Sequence, residues 1–169
     1  MAEPVRVRAA AASDRARIAA INREGQPGVN PLSAAELDAC LARATLFCVA
    51  ELDGAVAGYL IALATVFSSI GDEYAWFEAR HRAFLYVDQV AVARDGWRRG
   101  VGAALYAELE RVARRSGIPQ LVCEVNLRPA NPRSLAFHAA LGFVEVGQLE
   151  VSDGRRVALL ERALVQSPR

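Results

Sequence analysis

The alternation of apolar and polar residues predicts the elements in the first third of the chain. Alternating apolar and charged residues at 5–8 are typical of a short edge strand. Segments 13–24 and 33–43 each begin with residues that cap helices, so we expect two helices there. Apolar runs at 46–52 and 56–64 predict two strands, which the dipeptide Asp53-Gly54 joins as a hairpin.

The same pattern continues after a break at 65–82. An apolar run at 83–92 predicts a strand, and a stripe of apolar residues from Val101 to Val112 predicts a helix to about residue 116. A strand follows at 120–126. Asn131 and Pro132 are suited to begin another helix, and 143–150 with 155–161 reads as a closing hairpin.

Together these elements predict one α+β domain over residues 1–169. Their order is β-α-α-β-β-β-α-β-α-β-β, and they would form a mixed central sheet of about seven strands. A chain of 169 residues is long enough to bury one substantial core.

The break at 65–82 is unusually rich in aromatic and charged residues. Asp72 and Glu73 would lie in the first turn of a short helix, where the helix dipole favours negative charge. A long insertion of this kind inside a compact domain is often functional. The alternative is that its aromatic residues only pack against the sheet.

Composition excludes several classes of function. With 20 basic and 19 acidic residues, the net charge of +1 gives no electrostatic reason to expect binding to nucleic acid or to a membrane surface. No apolar run is long enough to span a membrane, and the first residues do not resemble a signal peptide. Cys40, Cys48 and Cys123 lack metal-site spacing, so we expect reduced thiols, no metal and a cytoplasmic location.

The segment Trp97-Arg98-Arg99-Gly100-Val101-Gly102 leads from a strand into a helix and is suited to bind an anion. The first N–H groups of a helix have no partner within it, and glycine allows a phosphate to approach the backbone. An ordinary glycine turn is the alternative. A dinucleotide fingerprint fails because Leu105 replaces the third glycine, and a P-loop is excluded because the chain has no lysine.

Two motifs at this point resemble the GNAT superfamily of N-acetyltransferases, in particular a bacterial subgroup of it. The first, Q/R-x-x-G-x-G/A, corresponds to 97–102, with Trp97 in the usual Gln or Arg position. The second, N-x-x-S/A-x-x-x-Y-x-x-x-G-F, corresponds to Asn131, Ser134, His138, Gly142 and Phe143. Histidine therefore replaces the usual tyrosine.

The resemblance implies that acetyl-CoA binds in a cleft where the fourth and fifth strands splay apart. The strand backbone would pair with the pantetheine amides, the turn would bind the pyrophosphate, and polar side chains would contact the pantetheine arm. The implied cofactor-binding residues are Val90, Ala91, Val92, Trp97, Arg98, Arg99, Gly100, Val101, Gly102, Ala103, Asn126, Asn131, Ser134 and His138.

The resemblance also implies direct transfer, in which an amine must lose a proton before it attacks the thioester. Asp88 lies where several GNAT enzymes carry an acidic base, although it could equally be a structural acid paired with an arginine. Glu124 is the competing base. His138 would protonate the departing thiolate or would simply pack near it. Cys123, in an apolar strand, is expected to be a core residue.

We therefore predict an acetyl-CoA-dependent N-acetyltransferase whose acceptor is a primary amine of a small molecule or of a peptide N-terminus. The alternative is a non-catalytic protein of the same fold that binds CoA as a sensor or partner. A homodimer is compatible with the sequence, which does not specify one. The residues predicted to contact the acceptor are Asp72, Glu73, Tyr74, Trp76, Phe77 and Tyr86.

Overall fold

The computed structural model of the protein describes residues 4–64 and 71–164, so residues 65–70 of the predicted insertion lie outside the described residues. The strands in the described part are β1 (Arg6–Ala9), β2 (Leu46–Leu52), β3 (Ala55–Leu63), β4 (Leu85–Val92), β5 (Gln120–Arg128), β6 (Val144–Glu150) and β7 (Arg156–Ala163). The α-helices are α1 (Arg15–Gly25), α2 (Ala34–Arg43), α3 (Asp72–Glu78), α4 (Val101–Arg115) and α5 (Pro132–Ala140).

The strands form a mixed sheet in the order β1-β2-β3-β4-β5-β7-β6. The pairs β1–β2, β2–β3, β5–β7 and β6–β7 are antiparallel. Strands β4 and β5 are parallel and pair at Leu85 with Leu121 and at Tyr86 with Val122, near the start of each strand. The predicted α+β class with a seven-stranded mixed sheet is therefore confirmed, whereas the predicted splay of β4 and β5 stays a prediction.

Local capping signals explain where several helices begin and end. At the start of α2 the Ser33 hydroxyl accepts a hydrogen bond from the Glu36 amide at 3.2 Å, and the Glu36 carboxylate accepts one from the Ser33 amide at 2.8 Å. Asn131 caps α5 through its side-chain oxygen, and Gly142 adopts a left-handed φ of +87° just after that helix.

Asp14 occupies the N-cap position of α1, as the sequence predicts, but its side chain does not cap the helix. Its carboxylate is buried and receives two hydrogen bonds from the Arg8 guanidinium, at 2.8 and 2.9 Å. It makes no side-chain hydrogen bond to the first turn of α1. The carboxylate also accepts a hydrogen bond from the Ala11 amide at 2.8 Å, so contacts with residues before α1 determine the position of this side chain.

The chain divides into two compact units, one from residues 1–63 and 88–112 and the other from 64–87 and 113–169. In the first, Ile18 and Ile21 of α1 are buried with Val49, Tyr59 and Ile61 of the sheet. In the second, an aromatic cluster lies between α3 and β4, with ring centroids 5.1 to 6.4 Å apart. Its members are Tyr74, Phe77, Phe84 and Tyr86.

Gly58 of β3 lets the start of α4 pack closely against the sheet. A Cβ at this position would lie 2.8 Å from Val101 Cγ1, 3.0 Å from the Ala91 carbonyl oxygen and 3.3 Å from Leu105 Cδ1. A side chain here would force α4 away from β3 and β4. Gly58 therefore fixes where the N-terminal end of α4 lies.

Candidate functional site

The turn that the sequence singles out connects β4 to α4. A short 3-10 helix, Arg94–Gly96, follows β4, and α4 begins at Val101. The Ala104 amide donates to the Gly100 carbonyl at 2.9 Å, so the amides of residues 101–103 precede this first bond of the helix. Such amides have no acceptor within a helix and point out of its end, where the dipole favours an anion.

The backbone of this turn leaves room for a ligand. Gly100 has a left-handed φ of +83°, and a Cβ added to it would meet no atom within 4 Å. Arg98 is also left-handed, with φ of 60°, a conformation that is uncommon for residues other than glycine. Arg98, Gly100 and Ala103 are exposed and Gly102 is half-buried, so the turn is accessible from solvent.

Two side chains tie the turn to neighbouring elements of the same unit. The indole Nε1 of Trp97 donates to the Val92 carbonyl at the end of β4 at 3.0 Å, while the ring stays 42% exposed. The Arg99 guanidinium bonds the Asp53 carboxylate in the β2–β3 turn at 2.8 Å. The Arg99 pair is exposed and contributes little to stability. The anchoring role of the Trp97 side chain is not evident from the sequence.

The predicted strand residues of the site form the last part of β4. Ala91 is buried in the core of the first unit, and Val90 and Val92 are half-buried. Asp88 is half-buried at the middle of the strand. Burial raises the pKa of the Cys40 thiol to about 11, with a further contribution from the negative charge of Asp88.

A buried polar network includes Gln89, the residue that follows Asp88, and sequence reasoning did not predict it. The Gln89 side-chain oxygen accepts from Tyr59 Oη at 2.8 Å and from Asn22 Nδ2 at 3.1 Å, and Gln89 Nε2 donates to the Asn30 carbonyl at 3.1 Å. Burial raises the pKa of Tyr59 to about 12. The network joins α1, β3, β4 and the loop after α1. The sequence signal for this network was Asn22, a polar residue on the apolar face of α1.

In the second unit, Arg155 bonds two predicted site residues, Glu73 and Asn126, and also Asp153 in its own loop. Its Nη2 donates to Glu73 at 3.0 Å, its Nη1 to the Asn126 side-chain oxygen at 3.2 Å, and its Nε to Asp153 at 2.7 Å. Glu73 and Asn126 are both buried. The structure therefore brings together Glu73, which was predicted to contact the acceptor, and Asn126, which was predicted to contact the cofactor. It adds Arg155, which sequence reasoning missed.

Glu124, the second candidate base, lies on β5 two residues before Asn126 and hence on the same face of the strand. It is half-buried. Partial burial by itself lowers the pKa of Arg155. The hydrogen bond and charge of Asp153, followed by the charges of Glu73 and Glu124, outweigh this effect, so the pKa is raised. In return, hydrogen bonds from the backbone and then the side chain of Arg155 lower the pKa of Asp153.

Helix α3 uses most of its predicted acceptor-binding side chains in contacts within the second unit. Tyr74 and Phe77 belong to the buried aromatic cluster, as does Tyr86 of β4. Trp76 packs against Gly147 of β6, where a Cβ would lie 2.8 Å from the ring, and the Arg80 guanidinium lies over its face at 3.3 Å. The Asp72 carboxylate accepts from the Ser152 amide at 3.1 Å.

His138 lies on α5 and is buried between the rings of Phe137 and Phe143. Its Nδ1 lies 2.7 Å from the Ser134 carbonyl oxygen, which can only accept, so Nδ1 carries the proton. Burial lowers the pKa of His138, although the bond to the Ser134 carbonyl opposes this shift. A neutral imidazole in this tautomer accepts at Nε2, which favours the packing role over the role of proton donor.

Asn131 and Ser134 hold the start of the same helix. The Asn131 side-chain oxygen accepts from the Ser134 amide at 3.3 Å, and the Asn131 amide donates to the Asn126 carbonyl at 3.1 Å. The Ser134 hydroxyl lies 3.3 Å from His138 Nδ1. These bonds connect the end of β5 to α5 within one unit.

Among residues 4–64 and 71–164, no group of three or more His, Cys, Asp or Glu side chains is arranged to hold a metal ion. None of the helices in this part of the chain is long and apolar enough to cross a membrane.

Comparison with solved structures gives full-length matches. Ard1 from Thermoplasma volcanium covers 96% of this chain and 99% of its own, with 18% identity and a TM-score of 0.78. Ribosomal-protein-alanine N-acetyltransferase from Brucella melitensis covers 94% and 99%, with 22% identity and a TM-score of 0.72. A GNAT superfamily phosphinothricin acetyltransferase from Sinorhizobium meliloti, solved in complex with AcCoA, covers 95% and 88%, with 26% identity and a TM-score of 0.72.

No curated protein sequence matches this chain. The model of the acetyltransferase (GNAT) family, however, matches residues 16–143, which is most of the sequence. The matched range contains the turn between β4 and α4 and the whole of α5. The chain therefore belongs to the GNAT family of acetyltransferases.

Proposed function

We propose that this protein transfers an acetyl group from acetyl-CoA directly to a primary amine of a small molecule or of a peptide N-terminus. The observation that carries the proposal is the open, left-handed glycine turn at the start of α4. The similar phosphinothricin acetyltransferase was solved in complex with AcCoA, which supports the same donor here. A cytoplasmic location stays a prediction from the sequence.

The residues of the turn fit the charged part of acetyl-CoA. Among the amides of residues 98–103, that of Arg99 already donates to the Gly96 carbonyl at 3.3 Å, and the others would bind the pyrophosphate, since the open space beside Gly100 leaves the backbone accessible. Arg98 would add positive charge, because Arg99 is already paired with Asp53. The backbone of 90–92 would pair with the pantetheine arm.

Three polar residues of the second unit are proposed to contact the same arm. The side-chain oxygens of Asn126 and Asn131 each accept an internal hydrogen bond. Ser134 would contribute its hydroxyl. When bound, acetyl-CoA supplies the thioester carbonyl at which the amine attacks, and a strand amide near Val90 would stabilise the resulting negative charge.

Asp88 is the proposed base that accepts the proton of the amine, directly or through water. It is half-buried on a strand whose next residue, Gln89, is fixed by the buried network, so its backbone is well held. Glu124 is the alternative.

The acceptor is proposed to bind at α3 and the β6–β7 loop. Asp72, Glu73 and Asp153 carry negative charge there, and Arg155 compensates only part of it. Because opposite charges attract, a protonated or otherwise cationic amine is the favoured acceptor.

Calorimetric titration with acetyl-CoA and release of CoA thiol in the presence of a panel of primary amines test the function together. The expected result is binding of acetyl-CoA and amine-dependent release, with release lost and binding kept in Asp88→Asn. Binding without release for any amine would favour the non-catalytic alternative. A lack of binding would refute the assignment of the turn.

A further inference from the structure

The side chain of Arg155 bonds three different partners in the second unit. It bonds α3 through Glu73 at 3.0 Å, β5 through Asn126 at 3.2 Å and its own loop through Asp153 at 2.7 Å. The side chain of Arg155 is 19% exposed and that of Glu73 only 7%. The two residues are 82 positions apart in sequence.

Stability alone does not account for this arrangement. A buried ion pair is often no more stabilising than apolar residues of the same size, because both charges lose their hydration. Helix α3 is already held by Tyr74 and Phe77 in the aromatic cluster. The planar guanidinium adds directional contacts, which fix orientation rather than merely attachment.

A second polar contact acts on the same part of α3. The Asp72 carboxylate accepts from the Ser152 amide at 3.1 Å, so the first turn of α3 is bound to the β6–β7 loop at two adjacent residues. All three nitrogens of Arg155 donate to internal acceptors. Arg155 therefore orients protein groups through each of its side-chain nitrogens.

We propose that Arg155 is a positioning residue for the acceptor amine. It holds the first turn of α3, Asn126 and the β6–β7 loop in a single arrangement, and this arrangement forms the surface on which a cationic amine binds. The inference rests on the proposed function, since it assigns a role to the acceptor side of that reaction.

The test compares four variants of the full chain. Arg155→Met leaves Glu73 buried without its partner, whereas Glu73→Met combined with Arg155→Met removes both charges and keeps similar volumes. Arg155→Lys keeps the charge but not the planar fork. Arg156→Met is the matched control, because Arg156 is the neighbouring arginine, is exposed and bonds only Gln148 among the contacts described for it.

Hydrogen exchange of peptides covering α3 is the first measurement. Arg155→Met is expected to exchange at least about tenfold faster than wild type in α3, while Arg156→Met exchanges at the wild-type rate. Unaltered exchange of α3 in Arg155→Met would overturn the proposal, because the helix would then be held equally well without the arginine.

Steady-state kinetics with spermidine, tyramine and the peptide Ala-Gly-Gly amide as probe amines form the second measurement. The double variant is expected to recover thermal stability but to keep a KM for the amine raised roughly tenfold or more, with a smaller rise in the KM for acetyl-CoA, because Arg155 also bonds Asn126. Arg155→Lys should be intermediate. If the amine KM of these variants simply follows their thermal stability, Arg155 has only a structural role and the proposal is wrong.

The proposed acetyl transfer and the proposed role of Arg155 can fail separately. If wild type binds acetyl-CoA but acetylates none of the three amines, the proposed function fails for this acceptor class. The exchange measurement then decides alone whether Arg155 positions α3.

Discussion

Replacing Gly100 by alanine separates the conformational role of the turn from its proposed role in binding phosphate. Gly100 has φ of +83°, and an added Cβ would meet no atom within 4 Å, so the methyl group overlaps nothing in the protein. Gly117, just beyond the other end of α4, has φ of +67° and equally open surroundings. Gly117→Ala is therefore a matched control for the backbone effect.

The expected magnitudes follow from this geometry. A left-handed alanine costs about 1–2 kcal/mol, and in a domain of this size each kcal/mol lowers Tm by about 2–4 °C. Both variants should therefore lose about 2–8 °C without ligand. Acetyl-CoA at a hundred times its Kd stabilises the native state by about 2.7 kcal/mol, which raises Tm by about 5–11 °C.

The two variants are expected to differ once acetyl-CoA is present. The methyl group of Gly100→Ala would occupy the space through which the pyrophosphate approaches the backbone. If its Kd rises about a hundredfold, the same ligand concentration contributes only about 0.4 kcal/mol and the rise in Tm shrinks to about 1–2 °C. Thermal melts of wild type and both variants, with and without acetyl-CoA, measure this. Equal ligand-induced rises in Gly100→Ala and Gly117→Ala would refute the assignment of the phosphate site.

Three further predictions concern single side chains. Asp88→Asn should slow transfer by roughly a hundredfold and remove the acidic limb of the rate–pH profile, whereas Glu124→Gln should have a smaller effect. An unchanged acidic limb in Asp88→Asn would show that another group is the base. Burial lowers the pKa of His138, so below pH about 6.5 the unfolded chain binds a proton that the folded chain does not, and stability falls. In urea unfolding from pH 7 to 5, the free energy of unfolding should therefore depend less on pH in His138→Phe than in wild type. The turnover of this variant should drop by less than about tenfold, and a larger drop would restore the role of His138 as the acid. Trp97→Phe removes the hydrogen bond to Val92 and should weaken acetyl-CoA binding by about fivefold in calorimetry, corresponding to about 1 kcal/mol, and unchanged affinity would show that the anchor is dispensable.

Local sequence signals determined most of the secondary structure. Strand β2 has the predicted bounds, and the hairpin after it forms at Asp53 and Gly54, both with positive φ. The Ser33 capping box begins α2 as predicted. These features depend on hydrogen bonds and backbone preferences within a few residues, which a sequence states directly. For the same reason the glycine turn before α4 could be recognised without the fold.

Tertiary structure decided which polar side chains meet. Glu73 and Arg155 are 82 positions apart, and Tyr59 and Gln89 are 30 apart, so neither contact has a local signal. The fate of Asp14 was also decided at this level, because Arg8 competes with the helix for its carboxylate. Burial of His138 lowers its pKa, and burial depends on the elements packed around it rather than on its neighbours in sequence. The sequence could therefore name the candidate chemical groups, while their partners and protonation states depend on contacts that exist only once distant segments have packed together.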